Sequence, residues 1–172
     1  VLVASPERAA AFAGREGVVV QTREEFLAAA RSGATAAPEW SMDAEDIAVL
    51  LFTSGTTGVP KAAILRQKHL VSYILGSVEF CSAAEADAAL VCVPPYHVAG
   101  IAALLSSVYS GRKVVQLANF TPEAWLELAR RHQVSNAFVV PTMLARIVEA
   151  LDGAVSAQLP RLRAISYGGG KM

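Results

Sequence analysis

Apolar residues occur in two different spacings along this chain of 172 residues. Leu144, Ile147, Val148 and Leu151 recur at three- and four-residue intervals, which predicts one face of a helix over residues 141–151. Ile47–Thr53, in contrast, is continuously apolar up to its last residue, which is typical of a buried strand. Similar short runs predict further strands over residues 18–21, 88–93, 113–117, 137–140 and 162–167.

Helices are predicted between these strands. Thr22 and Glu25 have the spacing of a capping box that begins a helix. Thr121 and Pro122 supply the N-cap and the N1 proline of another helix, which ends in basic residues. Two more helices are predicted over residues 69–80 and Val98–Tyr109. Short unalternating strands separated by helices predict an α/β fold, with a mainly parallel sheet and helices on both of its faces.

Composition and charge argue against several classes of protein. Hydrophobic residues make up 53% of the chain, and its 15 basic and 15 acidic residues cancel, so no nucleic-acid or anionic-membrane partner is expected. The longest apolar segment, residues 88–105, is interrupted by Pro94 and His97, so no transmembrane segment is expected. Cys81 and Cys92 are predicted to be free, buried thiols of a protein in a reducing compartment, the cytoplasm.

The length suits one domain or a part of one. The chain opens on the strand-like segment VLVAS without a methionine, and it stops at ISYGGGKM, where a predicted strand has just run into a glycine turn. We therefore expect a piece of a longer protein, in which residues 1–172 form one partial domain and a C-terminal domain is absent.

Residues 53–61, with the sequence TSGTTGVPK, combine hydroxyls, glycines and a lysine between two apolar runs. Gly55 and Gly58 permit backbone angles that turn successive N–H groups inward to form an anion nest. Lys61 adds a positive charge on a flexible stem. Hydroxyl donors, one of which could also contact a metal ion, come from Thr53, Ser54, Thr56 and Thr57. Together these groups suit the polyphosphate of a nucleotide.

This loop differs from two commoner nucleotide-binding turns. In a Walker loop the lysine directly follows the second glycine, and a serine or threonine follows the lysine. Here Val59 and Pro60 separate Gly58 from Lys61, and Pro60 has no backbone N–H to donate. The spacing of the glycines also does not fit the GxGxxG turn of dinucleotide-binding folds.

The segment TSGTTGVPK resembles the signature phosphate loop of the adenylate-forming enzymes: acyl- and aryl-CoA synthetases, luciferases and peptide-synthetase adenylation domains. PPYHVAG, residues 94–100, resembles the second core motif of that family, and ISYGGGKM resembles the strand and glycine turn that line the adenine. Residues 119–150 have the helix–strand–Pro-Thr-Met-Leu pattern usual in acyl-CoA synthetases. From residue 46 onward the chain is thus similar to the N-terminal domain of an acyl-CoA synthetase.

The resemblance implies an enzyme that uses ATP and Mg²⁺ to convert a carboxylic acid to an acyl-adenylate and then transfers the acyl group to coenzyme A. It implies phosphate contacts from residues 53–58 and Lys61, and it makes Thr53 the candidate magnesium contact. It places His97 near the acyl carboxylate and near the path by which the thiol of coenzyme A reaches it. Lys61 and His97 are therefore the candidate catalytic residues. The residues that would line the adenine are Gly168, Gly169 and Gly170.

The resemblance also bears on the substrate. Amino-acid-activating relatives place an aspartate shortly after the second motif, whereas residues 92–122 contain no Asp or Glu, which favours an uncharged acyl or aryl carboxylate. Two alternatives remain open: an adenylating relative that loads a carrier protein, and a noncatalytic nucleotide-binding domain. The family's magnesium-binding glutamate and catalytic lysine segments are expected beyond Met172, so this chain alone is expected to be inactive.

Overall fold

A computed structural model describes residues 1–33, 41–53 and 61–169 of the chain, without the side chain of Thr53. The chain divides into two compact units, Val1–Ser41 and Met42–Met172. Among the described residues, no helix is long and apolar enough to cross a membrane.

The first unit contains two strands, each followed by a helix. Strands β1 (Leu2–Ala4) and β2 (Val20–Thr22) pair in parallel, and the helices are α1 (Pro6–Ala10) and α2 (Arg23–Arg31). The predicted capping box is confirmed, because the Thr22 backbone N–H donates to Glu25 Oε2 at 2.7 Å and the Glu25 N–H donates to Thr22 Oγ1 at 3.2 Å. The strand-like segment VLVAS contains β1, whereas the short helix α1 was not predicted.

The second unit begins with an antiparallel hairpin of β3 (Ile47–Thr53) and β4 (Lys61–Arg66), in which Thr53 lies opposite Lys61. The bounds of β3 are confirmed, but its predicted burial is wrong. Phe52 is 71% exposed and Leu50 is 47% exposed, because β3 pairs with β4 alone among the described strands. Strand β4 was not predicted, since its short apolar run gives no period of its own.

Four parallel strands and four helices complete the second unit. The helices are α3 (Gln67–Ser77), α4 (Val98–Tyr109), α5 (Pro122–Arg131) and α6 (Pro141–Ala150). The strands are β5 (Ala88–Val91), β6 (Lys113–Gln116), β7 (Asn136–Val139) and β8 (Ala164–Tyr167), in the order β6-β5-β7-β8. The predicted α/β fold with a mainly parallel sheet is therefore confirmed, and most predicted bounds are correct to within three residues.

Helices cover both faces of this sheet, as predicted. Crossover connections between parallel strands are right-handed. Because β6 and β7 flank β5 on opposite sides, α4 lies on one face and α5 and α6 lie on the other. The main core is on the second face, and its side chains are Ala88, Leu90, Cys92, Val115, Trp125, Leu126, Ala129, Val134, Ala137, Val139 and Ile147. Trp125 is 1% exposed and is the largest of these buried side chains.

A buried carboxylate holds the amino ends of the strands together. Asp87, which precedes β5, is 5% exposed; its Oδ1 accepts a hydrogen bond from Arg163 Nη2, and its Oδ2 accepts one from the Ala84 N–H at 3.2 Å. The Arg163 guanidinium is the main reason that the pKa of Asp87 lies below its ordinary value of 3.8. Arg163 precedes β8, so this ion pair spans the intervening strand β7.

We expect the substitution Asp87→Asn to lower the free energy of unfolding at neutral pH by about 1–3 kcal/mol, because it removes the ion pair and leaves donors unmatched. A carboxylate whose folded-state pKa is lowered stabilises the fold above its unfolded pKa, and this contribution disappears as the pH falls through the folded pKa. The difference in the free energy of unfolding between the original protein and Asp87→Asn should therefore shrink in acid. Urea titrations at several pH values would measure it. The exposed control Glu149→Gln should change little, and equal losses in both variants would contradict the role of Asp87.

Candidate active site

Two parallel strands that flank a third carry sequence-predicted site residues at their carboxyl ends. β5 leads into the turn that contains His97, and β8 leads into Gly168 and Gly169, while β7 lies between them and leads into Pro141. The connections after β5 and β7 depart to opposite faces of the sheet. Open α/β sheets bind ligands in the crevice at such a switch point, outside the carboxyl ends of the strands. The fold thus brings His97, Gly168 and Gly169 to the same edge.

The turn after β5 is held by backbone contacts. The His97 N–H donates to the carbonyl of Pro94 at 3.0 Å, and the His97 carbonyl accepts from the Gly100 N–H at 3.0 Å as α4 begins. A Cβ atom added to Gly100 would lie 2.4 Å from the Pro94 carbonyl oxygen. Only glycine therefore fits where the first turn of α4 lies against the preceding turn. His97 is the N-cap residue of α4, but its ring makes no capping hydrogen bond.

The His97 ring is therefore available at the carboxyl edge of the sheet. It is exposed, and its centroid lies 4.8 Å from that of the Tyr96 ring, which is itself 70% exposed. The other two histidines, His69 and His132, lie at helix ends. His69 Nδ1 accepts a hydrogen bond from the Arg66 N–H at 3.1 Å at the start of α3, and His132 is the C-cap residue of α5.

The glycine turn after β8 passes close to residues of β7 and its following turn. A Cβ atom at Gly168 would make an ordinary contact of 3.8 Å with the Phe138 ring, and one at Gly169 would lie 3.7 Å from Val140 Cγ1. Gly169 has a φ of +87°, a left-handed conformation that favours glycine. Among the predicted adenine-lining residues, Gly170 lies outside the described residues.

The predicted phosphate loop joins the two strands of the antiparallel hairpin. Lys61 is exposed at the first position of β4, opposite Thr53. This hairpin is a different sheet from the one that carries His97 and the glycine turn. The predicted contacts Ser54, Gly55, Thr56, Thr57 and Gly58 lie outside the described residues, as does the side chain of Thr53 with its predicted magnesium contact. Among the described residues, no group of three acidic, histidine or cysteine side chains could hold a metal ion.

A cavity of about 420 Å³ extends from this edge between the parallel sheet and helices α3 and α4. Phe138 lines the cavity and also faces Gly168, so its ring connects the glycine turn with the cavity. The sequence predicted only a strand at this position. The sequence does contain a signal for it. Successive side chains of a strand point to opposite faces of the sheet. Ala137 and Val139 belong to the core on one face, so the large aromatic ring of Phe138 between them lies on the other.

The model of the family "AMP-binding enzyme" matches residues 4–172. This chain belongs to the AMP-binding enzymes. It is 34% identical over 131 residues to the 2-succinylbenzoate–CoA ligase of Bacillus licheniformis, a match that covers 76% of the chain and 26% of that ligase. The AMP-binding chain thus spans about a quarter of the length of this curated relative.

Two solved structures share the fold of the AMP-binding chain. The o-succinylbenzoate CoA synthetase of Bacillus subtilis, in complex with its acyl-adenylate intermediate, is 30% identical with a TM-score of 0.66, and the match covers 90% of this chain and 40% of that one. The ATP-bound MatB of Rhodopseudomonas palustris is 26% identical with a TM-score of 0.82, and the match covers 97% of this chain and 34% of that one. The predicted superfamily and its N-terminal fold are confirmed.

Neither cysteine of the AMP-binding chain is suited to act as a nucleophile in this site. Burial raises the pKa of the Cys92 thiol to about 11, and its Sγ donates to the Phe138 carbonyl at 3.4 Å on the core side of the sheet. Both cysteines are free, as predicted, but the predicted burial of Cys81 is wrong because Cys81 is exposed. Cys81 lies in the connection between α3 and β5, where its backbone has a φ of 49°.

Proposed function

We propose that this chain is part of the N-terminal domain of an acid–thiol ligase, which activates a carboxylic acid with ATP and transfers the acyl group to coenzyme A. The observation that carries the proposal is the convergence of the His97 turn and the glycine turn at one edge of the sheet, at the carboxyl ends of the two strands that flank β7, in a chain of the AMP-binding family. The names of its relatives, CoA ligases and a CoA synthetase, support the same activity.

The first step joins the carboxylate to the nucleotide. A carboxylate oxygen forms a bond to the α-phosphorus of ATP as the bond from that phosphorus to the bridging oxygen breaks and pyrophosphate departs. The carboxylate is already a nucleophile, so the step requires alignment and charge stabilisation more than proton transfer. Residues 53–58 and Lys61 would supply donors and positive charge to the departing polyphosphate, and Mg²⁺ would neutralise further charge, with Thr53 as its proposed contact.

The second step transfers the acyl group to the thiol. The sulfur of coenzyme A, having lost its proton, adds to the acyl carbon, and the bond from that carbon to the phosphate oxygen then breaks to release AMP. His97 is exposed at the edge where both groups would meet, and its ring makes no capping bond that would hold it elsewhere. We assign it the positioning of the acyl carboxylate, while Gly168, Gly169 and Gly170 would admit the adenine. Two free cysteines support a cytoplasmic location.

The test uses the complete enzyme that contains this chain. We expect acid-dependent exchange of pyrophosphate into ATP, together with formation of an acyl-CoA that mass spectrometry identifies across a panel of acyl and aryl acids. Thioester formation only on a carrier protein would reject coenzyme A as the acceptor. Absence of exchange with every acid would favour a noncatalytic nucleotide-binding domain. The isolated 172-residue chain should show no exchange, and acid-dependent exchange by it would overturn the proposal that it is a partial domain.

A further inference from the structure

The cavity beneath α4 runs along the length of the parallel strands. Its lining begins at Ala99, in the first turn of α4 next to His97, and reaches Ser107 and Arg112 near the opposite edge of the sheet. At a rise of 1.5 Å per residue, the helix advances about 12 Å from Ala99 to Ser107. A group that enters beside His97 could therefore extend deep below the helix.

The cavity exists because the face of α4 that lines it has only small side chains. These residues are Ala99, Ala102, Ala103, Ser106 and Ser107. The two serine hydroxyls donate to carbonyls of their own helix, Ser106 to Ala102 and Ser107 to Ala103, so they neither fill the space nor direct a donor into it. Small residues on a helix can also permit close packing, but here the space between helix and sheet remains open.

Arg112 supplies the charged group at the far end of this cavity. Its backbone N–H donates to the Ser107 carbonyl at 2.7 Å, which fixes its position after α4. Among the residues that the structure describes, its buried Nε has no hydrogen-bond partner and its guanidinium forms no ion pair. A buried donor without a partner destabilises the folded state, so such a group calls for an explanation.

The lining residues around Arg112 leave its charge without an internal counterpart. They include no carboxylate, and the amide of Asn136 and the hydroxyl of Ser166 are the polar groups contributed by β7 and β8. The other described buried nitrogen without a partner, Trp125 Nε1, belongs to the core on the opposite face and lines no part of this cavity. Because Arg112 lines the cavity, a group in the cavity could supply the missing hydrogen-bond partner of its Nε.

We propose that Arg112, at the distal end of this cavity, binds a hydrogen-bond acceptor on the acyl portion of the substrate, with a carboxylate preferred. The planar guanidinium has a donor geometry that matches a carboxylate. This inference rests on the proposed function and narrows its substrate to acids with a second anionic or acceptor group. It keeps the exclusion of an ammonium group, since the lining offers no negative charge, but it departs from the uncharged acyl or aryl group that the sequence favoured.

The experiment compares pairs of acids that differ only at the distal end, with the complete enzyme. Suitable pairs are suberate with octanoate, sebacate with decanoate, and para-carboxyphenylpropionate with phenylpropionate. We expect the enzyme to prefer the dicarboxylate of at least one pair in kcat/KM for thioester formation. The substitution Arg112→Met should lower that preference about tenfold to a hundredfold, because it removes a charged hydrogen bond. Arg112→Lys should retain part of the preference.

The control variant is Arg131→Met, which removes an exposed arginine of α5 and should leave the preference unchanged. Melting temperatures of all variants show whether each protein is folded. Equal use of both members of every pair, or equal losses for both members in Arg112→Met, would overturn the role of Arg112 while the ligase activity stands. Absence of thioester from every acid would instead remove the proposed function, and this inference with it.

Discussion

Replacing Lys61 with alanine in the complete enzyme is expected to lower the rate of acid-dependent pyrophosphate exchange by about 100- to 1000-fold. Pyrophosphate departs with negative charge, and a fixed positive group directed at developing charge contributes an effect of this size. Lys61 is exposed at the first position of β4, directly after the loop, so its charge can reach a ligand of that loop. Exchange rates measured at saturating ATP would separate this effect from weaker ATP binding.

Lys68→Ala is the matched control for this substitution. Lys68 lies in the first turn of α3, and its Nζ is 2.5 Å from Glu45 Oε1 on the surface. Exposed ion pairs contribute little to stability, so this variant should exchange pyrophosphate at the normal rate. If the Lys61→Ala protein exchanged as fast as the Lys68→Ala protein, the phosphate role of Lys61 would be wrong.

Gly100→Ala is expected to destabilise the fold by about 1–3 kcal/mol and to lower thioester formation. The new Cβ would lie 2.4 Å from the Pro94 carbonyl oxygen and 2.9 Å from the Val93 carbonyl oxygen. Both neighbours are backbone atoms, so no side-chain rotation can relieve the contact, and either α4 or the turn must move. Because the His97 N–H donates to the same Pro94 carbonyl, that movement would displace His97.

A second helical glycine gives a matched comparison. Gly76 lies in α3, and a Cβ atom added there would meet nothing within 4 Å. Alanine is favoured over glycine in a helix by about 1 kcal/mol, so Gly76→Ala should be neutral or stabilising. Thermal unfolding and thioester assays of both variants test the difference. A Gly100→Ala protein as stable and as active as Gly76→Ala would show that the turn accommodates the side chain.

Local patterns in the sequence determined most of the elements of this AMP-binding chain. The continuous run that became β3 and the N-cap and proline that begin α5 depend on interactions within a few residues, so they could be predicted. Burial could not. β3 has the composition of a buried strand but is half exposed, and Cys81 is exposed, because exposure depends on which distant segments cover a residue.

The sequence by itself determined the chemistry of the loop over residues 53–61 and the family resemblance, because hydroxyls, glycines and a lysine have those properties wherever they are placed. Only the tertiary structure decided which residues meet. The strand order β6-β5-β7-β8 brings His97 to the edge that carries Gly168, and it turns Phe138 and Arg112 toward one cavity. Strand order follows from the packing of helices on both faces, an interaction between segments far apart in the chain, which no local pattern records.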